Sequence, residues 1–176
     1  MEVSEAIRVR KSVRAYDQKD IPEDVLGRIL EAGRISPSAS NTQPWHFIVV
    51  RDAAKRKILS RHRWTKFLTE SPVVIVGCGD KKDADWYVID VSIALQTMVL
   101  AATSEGIGTC WIGDFDEDEV RGLCKIPEDF GVVCLLALGY PREKLDISRA
   151  VTGGSRRKAP SKIVSYEEFG RSGADR

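Results

Sequence analysis

The stretch from Asp83 to Ser104 limits what this chain can fold into more than any other. Between Trp86 and Ala102 its apolar residues lie almost all round a helical wheel, which predicts a long helix buried on most sides. A chain of 176 residues rarely surrounds such a helix by itself. Burial against a second copy of the chain is the expected solution. Asp90 stands inside the apolar pattern, and a carboxyl there needs a partner. The longest apolar run, Val91 to Ala102, carries Ser92, Gln96 and Thr97 and is too short to span a bilayer.

The other elements are arranged around that helix. Ser4 to Arg10 has the pattern of a short helix, and Asp20-Ile21-Pro22 opens a second that runs to about Ile35. His46 to Val50 predicts a buried strand, and Asp52 begins another helix. Arg61 to Ser71 is irregular, either a mobile flap or a plain surface connection, with Trp64 and Phe67 among basic residues. Further strands are expected at Pro72 to Gly77, Gly106 to Phe115 and Gly131 to Gly139, with a short helix capped by Asp116. Ile163 to Phe169 is expected to add a last strand or edge. The order of elements is that of an α+β or α/β layered domain with a mixed sheet. The length suits a single domain over residues 1–170, with a frayed tail at 171–176.

Composition narrows the functional classes. A net charge of +1 supplies no overall field toward nucleic acid or membrane, so neither is expected as a partner. The Met-Glu-Val-Ser-Glu start has no apolar run of the secretory kind. Cys78, Cys110, Cys124 and Cys134 are scattered without a CxxC pair and read as reduced thiols, so a cytoplasmic location and no metal site are expected. No GxGxxG follows the first strand and no GxxxxGK[ST] occurs, which leaves a dinucleotide-binding Rossmann domain and a P-loop unsupported. His46 and His62 are the only histidines, and each reads as structural or exposed.

Two polar stretches carry chemistry. Ser36 to Trp45 packs three serines, Asn41, Gln43 and two prolines beside an indole, almost without charge. Such a loop offers hydrogen bonds to the edge of a planar ligand; its bland alternative is a turn that caps the preceding helix. In Arg10-Lys11-Ser12-Val13-Arg14 the cations alternate along an extended segment, so Arg10, Ser12 and Arg14 face one side. Two guanidiniums and a hydroxyl converging suit a phosphate; the alternative is a solvated basic turn. A second basic cluster, Arg156-Arg157-Lys158, lies near the other end of the chain.

Taken together, these stretches resemble the nitroreductase family of dimeric FMN enzymes. The likeness is carried by Arg10 to Arg14, Pro37 to Phe47 with its Asn-Thr-Gln-Pro-Trp core, Gly106 to Gly113, Leu138-Gly139-Tyr140-Pro141, and Arg157-Lys158 followed by Ile163-Val164. They run in family order over nearly the whole chain. The resemblance implies an interlocked homodimer of three-layer α+β sandwiches, each a mixed or antiparallel central sheet flanked by helices, with FMN at each interface. It further implies that Arg10, Lys11 and Ser12 hold the FMN phosphate, joined by Arg156, Arg157 and Lys158, and that Arg14 sits near the pyrimidine edge. Pro37, Ser38, Ser40, Asn41 and Gln43 would line the ring and ribityl chain. From the other subunit's side, Ile112, Gly113 and Asp114 would present backbone N–H near N5. The implied activity is ping-pong hydride transfer from NADH or NADPH to a nitroaromatic, quinone or similar small-molecule acceptor, without a catalytic side chain. The alternative is a protein that stores or senses FMN without useful turnover.

Overall fold

Four largely apolar strands build one sheet with two packed faces. The strands are β1 (Trp45–Val50), β2 (Val73–Asp80), β3 (Gly108–Ile112) and β4 (Phe130–Gly139), in the order β1-β2-β4-β3. The computed structural model describes residues 1–82, 85–142 and 157–172. They fall into two units, Met1–Glu143 and Lys144–Arg176. The first unit holds the sheet and five helices: α1 (Val3–Val9), α2 (Glu23–Arg34), α3 (Ala53–Leu59), α4 (Tyr87–Ser104) and α5 (Glu117–Cys124).

Side chains one apart on a strand point to opposite faces, and here each face has its own core. Val74, Val76, Cys78, Leu135 and Ala137 pack with Leu59 of α3, Leu68 and Val120 of α5. Val73, Ile75, Cys134, Leu136 and Leu138 pack with Leu26 and Ile29 of α2 and with Val91, Leu95 and Met98 of α4. The parity holds along β4 until a register shift opposite Gly77/Cys78, after which Val132 pairs with Cys78 and joins its face. An extra residue on one strand of an antiparallel pair does this, since a one-residue slip exchanges the faces.

α2 and α4 approach closely because Gly33 has no side chain: a Cβ there would sit 2.0 Å from Met98 Cε. At the far end of the same pair, Arg28 Nε donates to Glu105 Oε1 at 2.7 Å and Arg28 Nη1 to Asp24 at 3.0 Å. The guanidinium holds both carboxyls below the usual carboxylate range.

The three-layer α+β expectation holds, and all three strand ladders are antiparallel. The only parallel pairing described is the isolated bridge between Ser12 and Thr109. β1 is an edge strand and mostly half-buried, where the apolar run predicted full burial. No strand forms at Ile163 to Phe169. A 3₁₀ turn at Pro160–Lys162 leads into bends, and Ile163 and Phe169 are exposed. Apolar residues alone do not make a strand without a sheet edge to pair with.

α4 is long and apolar enough to cross a bilayer by length and composition. Here one side of it lies on the β2–β4 pair and α2. Its other side leaves Trp86, Ile89 and Ile93 at 50%, 48% and 39% exposure. Val3, Ile7 and Val9 of α1 are exposed too.

All four cysteines are free. Burial pushes the Cys78 thiol up to about 12 and the Cys134 thiol up to about 11, and it raises buried Tyr16 as well. An acid raised in the fold stays protonated there while the unfolded chain ionises near its ordinary value, 9.0 for these thiols. Their contribution to stability is therefore complete below about pH 9 and is lost as the pH climbs toward 12. The urea midpoint will fall between about pH 9 and pH 11, and Cys78→Ala/Cys134→Ala will flatten that fall. A wild-type midpoint constant to pH 11 contradicts the assignment.

Candidate functional site

The Ser36–Trp45 loop is anchored at its ends and held in an unfavourable shape between them. Ser36 Oγ donates to the Ala32 carbonyl of α2 at 3.0 Å, and Asp80 N–H of β2 donates to the Pro44 carbonyl at 2.9 Å. Between these ties a short 3₁₀ turn, Ala39–Asn41, is followed by a reversal. Ser40, Asn41 and Gln43 have φ of 49°, 57° and 51°, in the left-handed region. For residues with a Cβ that conformation costs roughly 1–2 kcal/mol each, least for asparagine. Inside the loop, Gln43 N–H donates to Ser38 Oγ at 2.9 Å, and the Gln43 side-chain amide donates to Asn41 Oδ1 at 3.3 Å. Asp90, 2% exposed in α4, accepts the Ala39 N–H at 3.2 and 3.1 Å.

Pro37, Ser40, Asn41 and Gln43 are exposed and Ser38 is half-buried, so the loop presents hydroxyls and amides outward. Trp45 does not stand beside them as an open indole face. It is half-buried against the core of α2 and α4 and stacks on Phe47, 6.4 Å away at 14°. Two residues apart on a strand, the two rings share one face.

The basic segment follows α1 and runs along β3. Val13 N–H donates to the Thr109 carbonyl at 2.8 Å, and Ser12 bridges to Thr109. Val13 and Ala15 are buried, so Ser12 and Arg14 turn outward, half-buried and exposed. Tyr16, fully buried, fixes the segment by donating its hydroxyl to the Val13 carbonyl at 2.7 Å. Half-buried Arg10 and exposed Lys11 line an open cleft of about 140 Å³ with Thr103, Gly106, Thr109 and Pro141.

Ile112 ends β3 buried, and Gly113 and Asp114 beyond it are exposed. A Cβ on Gly113 would meet nothing within 4 Å, so its backbone is open to approach. Arg157 and Lys158 are exposed in the second unit. Arg156 lies outside the described residues.

Sheet topology decides which candidates share a corner. The loop enters β1 at Trp45, opposite Gly79, which in turn faces Gly131. The basic segment meets β3 near Gly108, opposite Gly139. β1 and β3 are the two edges of the sheet. At ~3.3 Å per residue along β4 and ~4.8 Å per strand across, the two places lie roughly 30 Å apart on a diagonal. α4 reports the same separation, with Asp90 at the loop and Thr103 at the cleft about 20 Å along its axis. Ile112, Gly113 and Asp114 lie three to five residues beyond Thr109, the residue of β3 that bridges to Ser12.

Thr109 and Tyr16 were not foreseen as parts of the site. Their contacts depend on pairing across about a hundred residues in one case and on a buried hydroxyl in the other, and neither leaves a local pattern.

Comparison with known proteins follows the same lines. The model of the "Nitroreductase family" matches residues 7–71 and 59–140. A protein of Methanothermobacter thermautotrophicus named "Putative NADH dehydrogenase/NAD(P)H nitroreductase" is 40% identical over 151 residues, covering 81% of this chain and 79% of its own. A solved structure described as an FMN-dependent nitroreductase from Clostridium difficile is 28% identical with a TM-score of 0.81, covering 93% of this chain and 98% of that one. Another, a nitroreductase with bound FMN from Bacteroides fragilis, is 30% identical with a TM-score of 0.76, covering 96% and 100%.

The left-handed loop makes a direct prediction. Ser40→Gly, which removes the Cβ at φ 49°, will leave stability unchanged or slightly higher. Ser40→Val, β-branched in the same conformation, will lower it by about 1–2 kcal/mol in urea unfolding. Equal stabilities for the two variants contradict a left-handed Ser40.

Proposed function

The chain belongs to the nitroreductase family, and on that premise we propose how its residues serve an FMN-dependent NAD(P)H oxidoreductase acting in the cytoplasm on nitroaromatic, quinone or similar acceptors. The donor set fits FMN. A phosphomonoester carries about two negative charges and wants several charge-assisted donors; Arg10 and Lys11 supply them at one cleft, and the half-buried Ser12 follows them in the chain. A flavin edge wants donors and acceptors in one plane, which the outward amides of Asn41 and Gln43 supply.

Bound FMN supplies hydride transfer, in two half-reactions that first oxidise NAD(P)H and then reduce the acceptor. The protein's part is to bind, orient and tune. Arg10, Lys11 and Ser12 would hold the phosphate. Arg14 puts positive charge beside the pyrimidine edge and so favours the reduced, more negative ring. Pro37, Ser38, Ser40, Asn41 and Gln43 fix the ring and ribityl chain. The backbone N–H groups at Gly113 and Asp114, after Ile112, would serve N5, and no bulk at Gly113 would block the approach. No side chain is required as a general acid or base.

One observation carries the arrangement. The cleft and the loop lie roughly 30 Å apart in one chain, further than one mononucleotide spans. A site using both therefore combines residues 10–14 and 112–114 of one copy with residues 37–43 of another. The exposed apolar side of α4 and α1, with Trp86, Ile89 and Ile93, is the face a second copy would cover. Such a homodimer also completes the burial of α4.

Complementation tests this directly. Arg10→Ala and Asn41→Ala homodimers will each bind FMN about 10- to 100-fold more weakly, the cost of losing a charge-assisted or buried hydrogen bond. The mixed dimer will recover one full-affinity site, because one of its two sites then contains neither substitution. No recovery overturns the two-copy site. Anaerobic NADH or NADPH will bleach the flavin bands of the wild type, and adding a nitroaromatic or quinone will restore them. Bands that persist with both donors count against the proposed turnover.

A further inference from the structure

We infer that Asp90 is a positioning residue for the cofactor loop, and that its carboxyl sets how tightly FMN is held without touching it. This rests on the function proposed above. Asp90 is 2% exposed in α4, with Val91, Ala94 and Leu95 buried around it. A carboxyl in such surroundings is costly unless it accepts hydrogen bonds. Both its oxygens are turned to one backbone group, the Ala39 N–H, at 3.2 and 3.1 Å.

That N–H opens the turn in which Ser40 and Asn41 are left-handed, with left-handed Gln43 two residues beyond it. Non-glycine residues persist in that region when the surroundings over-determine them. Ser36 and Pro44 tie the two ends of the loop to α2 and β2, and Asp90 ties its middle to α4. The bonds that Gln43 makes to Ser38 and Asn41 lie within the loop and do not fix it to the fold. Asp90 therefore decides where the amides of Asn41 and Gln43 stand before the ring arrives. Preorganisation of this kind appears as affinity, because the ordering cost is met before binding.

The test uses the full-length dimer, Asp90→Ala, Asp90→Asn, and Ser71→Ala as a control. Ser71 is fully buried, with its Oγ 2.8 Å from the Val73 and Leu138 carbonyls, so its loss reports general destabilisation. Hydrogen exchange of the Ala39 amide in the flavin-free protein and the FMN dissociation constant are both measured. Asp90→Ala will speed Ala39 exchange and weaken FMN binding about tenfold or more, and its residual bound flavin will have an absorption band shaped more like free FMN. Asp90→Asn keeps an acceptor oxygen in place and will recover most of the affinity, and Ser71→Ala will bind FMN as the wild type does. If Asp90→Ala fails to fold, Asp90→Asn decides through its Ala39 exchange, which must stay slow.

Wild-type affinity in Asp90→Ala, an Ala39 amide unaffected by it, Asp90→Asn as weak as Asp90→Ala, or an equal loss in Ser71→Ala each overturns the inference. A wild type that binds no FMN overturns the proposed function instead. The exchange measurement then still decides whether Asp90 holds the loop.

Discussion

Burial of α4 is the constraint on which the rest depends. Val91, Leu95, Met98 and Ala102 fill the space between α2 and the β2–β4 pair, and Gly33 lets α2 come close enough to close it. Each fully buried aliphatic side chain of this kind contributes about 1.5–3 kcal/mol, so the helix face outweighs any ion pair on the surface. The same helix sets the geometry of the site. Its first turns carry the carboxyl that binds the loop, and its last turn supplies Thr103 to the cleft beside Arg10. A core element thus doubles as the ruler that separates the two halves of the candidate site.

The loop and the basic segment are held by opposite means. The basic segment is extended, paired with Thr109 and braced by the buried Tyr16 hydroxyl, an arrangement without strain. The loop is strained at three residues and relies on Ser36, Asp90 and Pro44 to keep its shape. Strain of this kind gathers where a polar surface must be presented in one particular geometry. Both halves therefore offer ready-made donors, as expected when a cofactor carries the reaction and the protein supplies binding and electrostatics.

Much of the architecture was legible because its causes are local. Asp52 and Asp116 were readable as helix starts, and each accepts the backbone N–H three residues on, from Lys55 and Glu119. The valine-rich β2 and the apolar β4 were readable by period and composition. The polar loop and the alternating cations were readable as candidate ligand surfaces by residue type. Other features failed for physical reasons. Ile163, Val164, Tyr166 and Phe169 have strand-like composition, but their segment forms a 3₁₀ turn and bends and joins none of the four described strands. Trp45 looked like an open ring beside polar groups, yet period-two geometry turns it into the core with Phe47. The shift at Gly77/Cys78 left no mark in the composition of either strand.

What the sequence by itself determined is the set of parts: an over-apolar helix, apolar strands, a left-over carboxyl at Asp90, a polar loop and a line of cations. These follow from periodicity and side-chain chemistry, which act over a few residues. What only the tertiary structure decided is which parts meet. Ser12 meets Thr109 and Ala39 meets Asp90, while the loop and the cations are set at diagonal corners. Strand order and helix packing fix those meetings through contacts far apart in the chain, and such pairings are selected by the whole core rather than by any local stretch.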